Sequence, residues 1–285
     1  MKQMKAIAPL FSGWQETMIW SCLQGHMGVA AADDWKSPSS ACITVGDFSF
    51  FAGRPCEKLV REAKGDILVP RETGWFSCLE AVLERQIVKS CRYAIKKEPD
   101  VFSEEILKNC LDRISPEFSV VPIDRKLYDM VLAEEWSRDF CSQFTNFEDY
   151  FTRGLGFVAV YAGKPVAGAS SYTVYTGGIE VEIDTKKDFR RKGLGKACGA
   201  RLILECVKRG IYPSWDAMKN SLRKYRKKHK MKAEEAAEKV EISLGTLYAY
   251  ERGTRPIPSD KLKLFAKVYG TTVDALLEPS MDEEE

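Results

Sequence analysis

The run Asp188 to Ala197, DFRRKGLGKA, brings together what a diphosphate needs. Gly193 and Gly195 allow close backbone approach, and Lys196 and Ala197 open a predicted helix. Unpaired N–H groups and the positive dipole end at a helix N-terminus suit a bound anion. Arg190, Arg191 and Lys192 add cationic donors around it. Just upstream, Gly178 to Thr185 (GIEVEIDT) alternates apolar residues with Glu180, Glu182 and Asp184, which predicts a strand with one acidic face. Metal chemistry is not indicated. There are two histidines, and nine cysteines with no CxxC spacing, so no zinc site is expected and reduced thiols are favoured over a disulfide framework.

These residues need a scaffold, and the surrounding pattern predicts one. Phe118 to Ile123 reads as a strand. Asp124 caps a helix running to about Trp136, and Phe147 to Thr152 reads as a second helix. GFVAVYAG (156–163) and PVAGASSYTVY (165–175) read as a hairpin joined at a Gly-Lys turn. The acidic-faced strand follows, then a helix over 193–209 and a short strand over 211–215. Before this block, Leu10 to Leu23 predicts a helix, Ala41 to Phe51 a strand, and Ser103 to Ile114 an amphipathic helix. That first segment shows no catalytic constellation of its own.

Arg190-x-x-Gly193-x-Gly195, lying between the fourth strand and third helix of this order, resembles the acetyl-CoA motif of the GNAT superfamily of N-acetyltransferases. GIEVEIDT, RLILEC and IYPSWDA, with ETMIWSCLQGHMG, GDFSFFAG and CRYAIKK upstream, resemble more specifically the zwittermicin-resistance type. The resemblance covers Met1 to about Ala217. It implies an α/β (α+β) fold in two parts, an N-terminal subdomain over 1–115 and a transferase domain over 116–217 with a mixed central sheet. It also implies that Ile183 and Thr185 offer backbone groups to the pantetheine arm of acetyl-CoA, extending the sheet as an added strand would. Arg190, Lys192, Gly193, Gly195 and Lys196, with Arg191 beside them, would hold the pyrophosphate. Glu180, Glu182 or Asp184 would take the proton of an acceptor amine, directly or through water; the alternative is that they line a wet sheet face or attract a cationic amine. The family normally continues with a fourth helix and two more strands. Those strands are not expected here, and Tyr225 on the replacement helix is the stand-in candidate for protonating the leaving thiolate, against a structural aromatic.

From Met218 to Gly270 the chain carries 14 basic and 6 acidic residues, a net +8, whereas the last fifteen residues carry six acids and no base. Such a segment favours a polyanionic partner. SLGTLYAYERGTRPIPSDKLKLFAKVYGTTVDALL resembles the five-helix, phage-repressor (Xre-type) helix-turn-helix, so 218–285 is expected to be all-α, with an acidic tail. Ser243 is the predicted cap of the second motif helix, and Arg226 and Glu251 match the pair that forms an internal salt bridge in that fold. The resemblance places DNA contacts at Lys232, Ser243, Thr246, Tyr248 and Arg255. Base-reading positions hold Leu244, Gly245 and Ala249, which cannot make the bidentate bonds that discriminate base pairs. Weakly sequence-specific DNA binding is therefore expected. The alternative is a surface for another protein or for a homodimer.

The expected function is acetyl transfer from acetyl-CoA to a primary amine of a small molecule. The rival reading is a DNA-binding regulator whose transferase domain senses acetyl-CoA. The N-terminus lacks the pattern of a signal peptide, and no stretch reaches the roughly 18 apolar residues of a membrane span. A cytoplasmic protein with no membrane partner is expected.

Overall fold

A computed structural model of the chain describes residues 2–84, 87, 92–94, 97, 98, 100–218, 221–251 and 257–277. The chain divides into two compact units, one of residues 1–82 with 97–215 and the other of residues 83–96 with 216–285.

The first unit opens with α1 (Lys2–Ile7) and α2 (Thr17–Leu23). The single helix expected over 10–23 is broken: a 3-10 turn ends at Phe11, and Gly13 at φ +78 turns the chain before Glu16 caps α2 through Met18 N. The strand expected over 41–51 is a hairpin instead, β2 (Ser40–Val45) and β3 (Phe48–Gly53). Gly46, at φ +55, and Asp47 make its two-residue turn, a signal hidden inside an apolar run. With β1 (Val29–Ala32) and β4 (Ile67–Pro70, after α3, Glu57–Glu62) they form a four-stranded sheet ordered β1-β2-β3-β4. Helices α4 (Gly74–Leu83) and α5 (Glu104–Asp112) follow, the latter capped by Ser103.

The second sheet has five strands ordered β10-β9-β8-β7-β6. They are β6 (Ser119–Pro122), β7 (Gly156–Tyr161), β8 (Lys164–Tyr175), β9 (Gly178–Thr185) and β10 (Tyr212–Ser214). All neighbours are antiparallel except β10, which runs parallel to β9, so the sheet is mixed as expected. Between β6 and β7 lie α6 (Arg125–Ala133) and α7 (Phe147–Arg153). Asp124 caps α6 by accepting from Leu127 N at 2.8 Å. The β7–β8 turn is Ala162–Gly163, one residue earlier than the expected Gly-Lys turn. Both have positive φ, as a primed hairpin turn demands. Helix α8 (Leu194–Arg209) packs on β7, β8 and β9. One apolar core spans the unit, from Ile7 and Ile43 to Val158, Leu202 and Cys206.

The second unit holds β11 (Asp216–Met218), antiparallel to β5 (Arg92–Ala94), and five helices: α9 (Leu222–Lys228), α10 (Ala233–Lys239), α11 (Leu244–Glu251), α12 (Ser259–Val268) and α13 (Val273–Leu277). The first helix of the region expected to be all-α from 218 starts at Leu222, and residues 216–218 pair as a strand. Leu222, Ala236, Ala237, Val240, Leu247, Phe265, Tyr269 and Leu276 form its core. Ala236 and Ala237 are buried where α10 meets α11, the close approach that small side chains permit.

Candidate active site and helical unit

The glycine-bearing turn sits where β9 hands over to α8. Gly193 caps α8 with φ +80 and ψ 0, a left-handed conformation that glycine adopts freely. A Cβ there would meet nothing within 4 Å, so the space in front of the first turn is open. At Gly195 a Cβ would lie 2.9 Å from Thr185 Oγ1, and at Gly199 one would lie 3.1 Å from Ile183 Cδ1. The two glycines thus let the start of α8 approach the end of β9. Arg191 is exposed at φ +64, and Lys196 is exposed on the first turn of α8. Lys192 sets its ammonium 5.5 and 5.4 Å from the rings of Phe118 and Phe189. That cation–π seat holds the charge beside the turn.

Arg190 bends back onto β9. Its Nε donates to the Thr185 carbonyl at 2.8 Å, and one Nη lies 3.3 Å from Asp184 Oδ1. Asp184 Oδ1 also accepts from Thr185 N at 2.6 Å. Both backbone groups of Thr185 are therefore engaged by neighbours in sequence, while Ile183 is partly exposed.

Strand β9 has unlike edges. Along one side it pairs with β8 throughout, but β10 matches it over Gly178–Glu180 alone. Among the described residues no strand pairs with that second edge from Val181 to Thr185. The fork falls beside Glu180, which is buried and accepts a hydrogen bond from Thr17 Oγ1 of α2. A β-bulge in β8 sets Tyr172 and Thr173 against this one position. Tyr172 Oη accepts from Asp47 N at 2.9 Å. Burial, with Asp47, Asp139 and Glu182 around it, pushes the Tyr172 phenol well above its usual range. Burial, Asp139 and Asp66 likewise raise the Asp47 carboxyl. Thr17, Asp47, Asp139, Tyr172 and Thr173 escaped the sequence reading. No local motif marks them, and Thr17 reaches Glu180 across 163 residues.

In the helical unit, Ser243 caps α11 by accepting from Thr246 N at 3.1 Å, and its Oγ lies 2.8 Å from Thr246 Oγ1. Arg226 and Glu251 form a two-pronged pair at 2.5 and 2.9 Å, with side chains 13% and 2% exposed. Tyr248 and Tyr225 pack at the edge of the helical core, and Lys228 sits 5.7 Å over the Tyr225 ring. Lys232 precedes α10 as its N-cap. Arg255 lies outside the described residues. Among those residues no helix is long and apolar enough to cross a membrane, and no group of three or more His, Cys, Asp or Glu is placed to hold a metal.

Residues 8–226 match the GNAT acetyltransferase family, and residues 222–276 match a helix-turn-helix family. An uncharacterized N-acetyltransferase of Bacillus subtilis, YdfB, is 25% identical over 217 residues, covering 70% of this chain and 79% of that protein. An uncharacterized HTH-type transcriptional regulator of the same organism, YobD, is 39% identical over 56 residues, 20% of this chain and 50% of that protein. Among solved structures, a GCN5-related N-acetyltransferase-like protein from Streptococcus suis superposes with a TM-score of 0.71 at 41% identity, over 75% of this chain and 88% of that one. The forked sheet, the glycine-capped α8 and these matches agree: the chain belongs to the GNAT acetyltransferase family and carries a helix-turn-helix domain after its transferase region.

Proposed function

We propose that the protein transfers an acetyl group from acetyl-CoA to a primary amine of a small molecule. The observation that carries this reading is the edge of β9, without a strand partner among the described residues from Val181 to Thr185, that leads toward the open first turn of α8. The residues present fit the cofactor: an extended arm can add to a strand edge through main-chain bonds, and a diphosphate can meet the N–H groups of a helix start. Ile183 and Thr185 would bind the arm, with Thr185 released from Arg190 and Asp184. Arg190, Arg191, Lys192, Gly193, Gly195 and Lys196 would hold the pyrophosphate. Bound acetyl-CoA supplies an activated thioester. Glu180 or Glu182 takes the proton of the incoming ammonium, directly or through water, so that the nitrogen attacks as a free amine. Calorimetric titration of acetyl-CoA into the full chain tests this, with Gly193→Trp as the blocked variant and circular dichroism to check that it is folded. Binding abolished by Gly193→Trp, and thiol release with an amine panel, are expected. No binding to the unaltered protein would overturn the reading.

A second reading rests on the helix-turn-helix domain: the protein binds DNA, with Lys232, Ser243, Thr246, Tyr248 and Arg255 at the interface, and acetyl-CoA modulates that binding. Gel-shift titration in low salt, with and without acetyl-CoA, decides it. An unshifted band in both would remove it.

A further inference from the structure

The N-terminal region is more than a support for the transferase sheet. Its helix α2 sends Thr17 to Glu180, and its β2–β3 turn brings Asp47 to Tyr172 on β8. A Cβ on Gly46 would collide with Tyr172 Oη and come within 3.0 Å of Gln143, so this turn is fitted closely against the transferase region. The effect is to gather carboxylates of one sign. Asp47 feels Asp139 and Asp66, and Tyr172 feels Asp47, Asp139 and Glu182. Asp47 is exposed, while Asp139 and Glu182 are half-buried.

A separate observation marks the deep end of the same face. Among the described residues, Thr173 Oγ1 is fully buried and makes no hydrogen bond. Thr173 stands directly opposite Glu180 in the β8–β9 ladder, so the two side chains share one face of the sheet. Native structures rarely leave buried hydroxyls unmet, and such groups invite a ligand or ordered water. A primary ammonium brings three donors and no acceptor. Hydroxyl lone pairs beside a carboxylate are the acceptors it requires.

We infer that the acceptor is an aliphatic amine with at least two positive charges, its reacting nitrogen held by Glu180 and Thr173 and its second cation by Glu182, Asp47 and Asp139. This deepens the proposed acetyl transfer and rests on it for the chemistry, but not for the binding. A neutral or singly charged amine leaves the like charges of the outer group uncompensated, so charge number sets the preference.

The test compares 1,4-diaminobutane with 1-aminobutane, which have equal chain length and differ by one ammonium. In thiol-release assays with saturating acetyl-CoA, KM for the diamine is expected roughly tenfold below that for the monoamine, the scale of one compensated charge. The double variant Asp47→Asn/Asp139→Asn should erase that gap with the dissociation constant for acetyl-CoA unchanged. Thr173→Val should raise KM for both amines while leaving the melting temperature equal or higher, because it removes an unmet buried hydroxyl. A purely structural hydroxyl would leave KM unmoved. Equal KM values for the two amines, or a gap that survives the double variant, overturn the inference with the acetyl-transfer reading intact. Should acetyl-CoA fail to bind, the transfer reading falls alone. Calorimetry of 1,4-diaminobutane against the full chain then decides: binding lost in the double variant supports the inference, and no heat refutes it.

Discussion

At the scale of single residues, the proposed cofactor cradle is poised between two sets of bonds. Arg190 is shared by the Thr185 carbonyl and the Asp184 carboxylate, each of which competes with a phosphate for the same guanidinium. Asp184 also places a negative charge beside an anion site. Asp184→Asn keeps an acceptor oxygen but removes that charge, so acetyl-CoA should bind about two- to fivefold more tightly, the range of an exposed ion pair; titration calorimetry reads this directly. Gly193 makes a different case. Its φ of +80 and the empty space around its missing Cβ separate conformation from room. Asparagine tolerates the left-handed region. Gly193→Asn should therefore fold with a loss of about 0.5 kcal/mol or less, yet weaken acetyl-CoA roughly tenfold by standing where a phosphate would approach. A variant that folds and binds normally would show that this glycine serves the backbone alone.

At the scale of elements, what was legible in the sequence depended on how local its cause was. The order from β6 to β10 could be read because each element carries its own signal: Asp124 as a cap, alternation in GIEVEIDT, Gly193 before α8. The β2–β3 hairpin was missed because Gly46–Asp47 turns the chain inside an apolar run that reads as one strand. The acidic face of β9 was legible, but the groups that other elements bring to it were missed for a different reason. They are assembled by contacts such as Thr17 to Glu180 and Asp47 to Tyr172, separated by 163 and 125 residues, which no window of sequence brings together. The Arg226–Glu251 pair joins α9 to α11 and was legible as a matched pair of positions. Its burial sets its energetics. Glu251→Ala leaves a partly buried guanidinium without its carboxylate and should cost about 1–3 kcal/mol, whereas Arg226→Met/Glu251→Leu removes both charges and should come out near neutral. Thermal unfolding of the full chain distinguishes them. Equal losses would mean that the pair acts through packing of its alkyl stems.

At the scale of the whole molecule, charge is divided along the chain rather than spread over it. The segment 218–270 holds a net +8, while 1–217 has equal numbers of acids and bases, among them the carboxylates proposed to receive an amine. One chain therefore offers a region suited to a polycation and another suited to a polyanion, and salt should report on the second. The proposed contact residues Ser243, Thr246 and Tyr248 are uncharged and carry no counterion-release term; any affinity for duplex DNA must come from lysines and arginines such as Lys232. If about four phosphates are neutralised, affinity should fall on the order of a hundredfold between roughly 50 and 200 mM salt, with little difference between unrelated sequences. Fluorescence anisotropy with two unrelated duplexes across that range measures both quantities. A shallow slope combined with strong preference for one duplex would mean that base contacts dominate despite Leu244, Gly245 and Ala249. A steep slope with no preference would make this domain an electrostatic anchor that keeps the transferase on nucleic acid without choosing where.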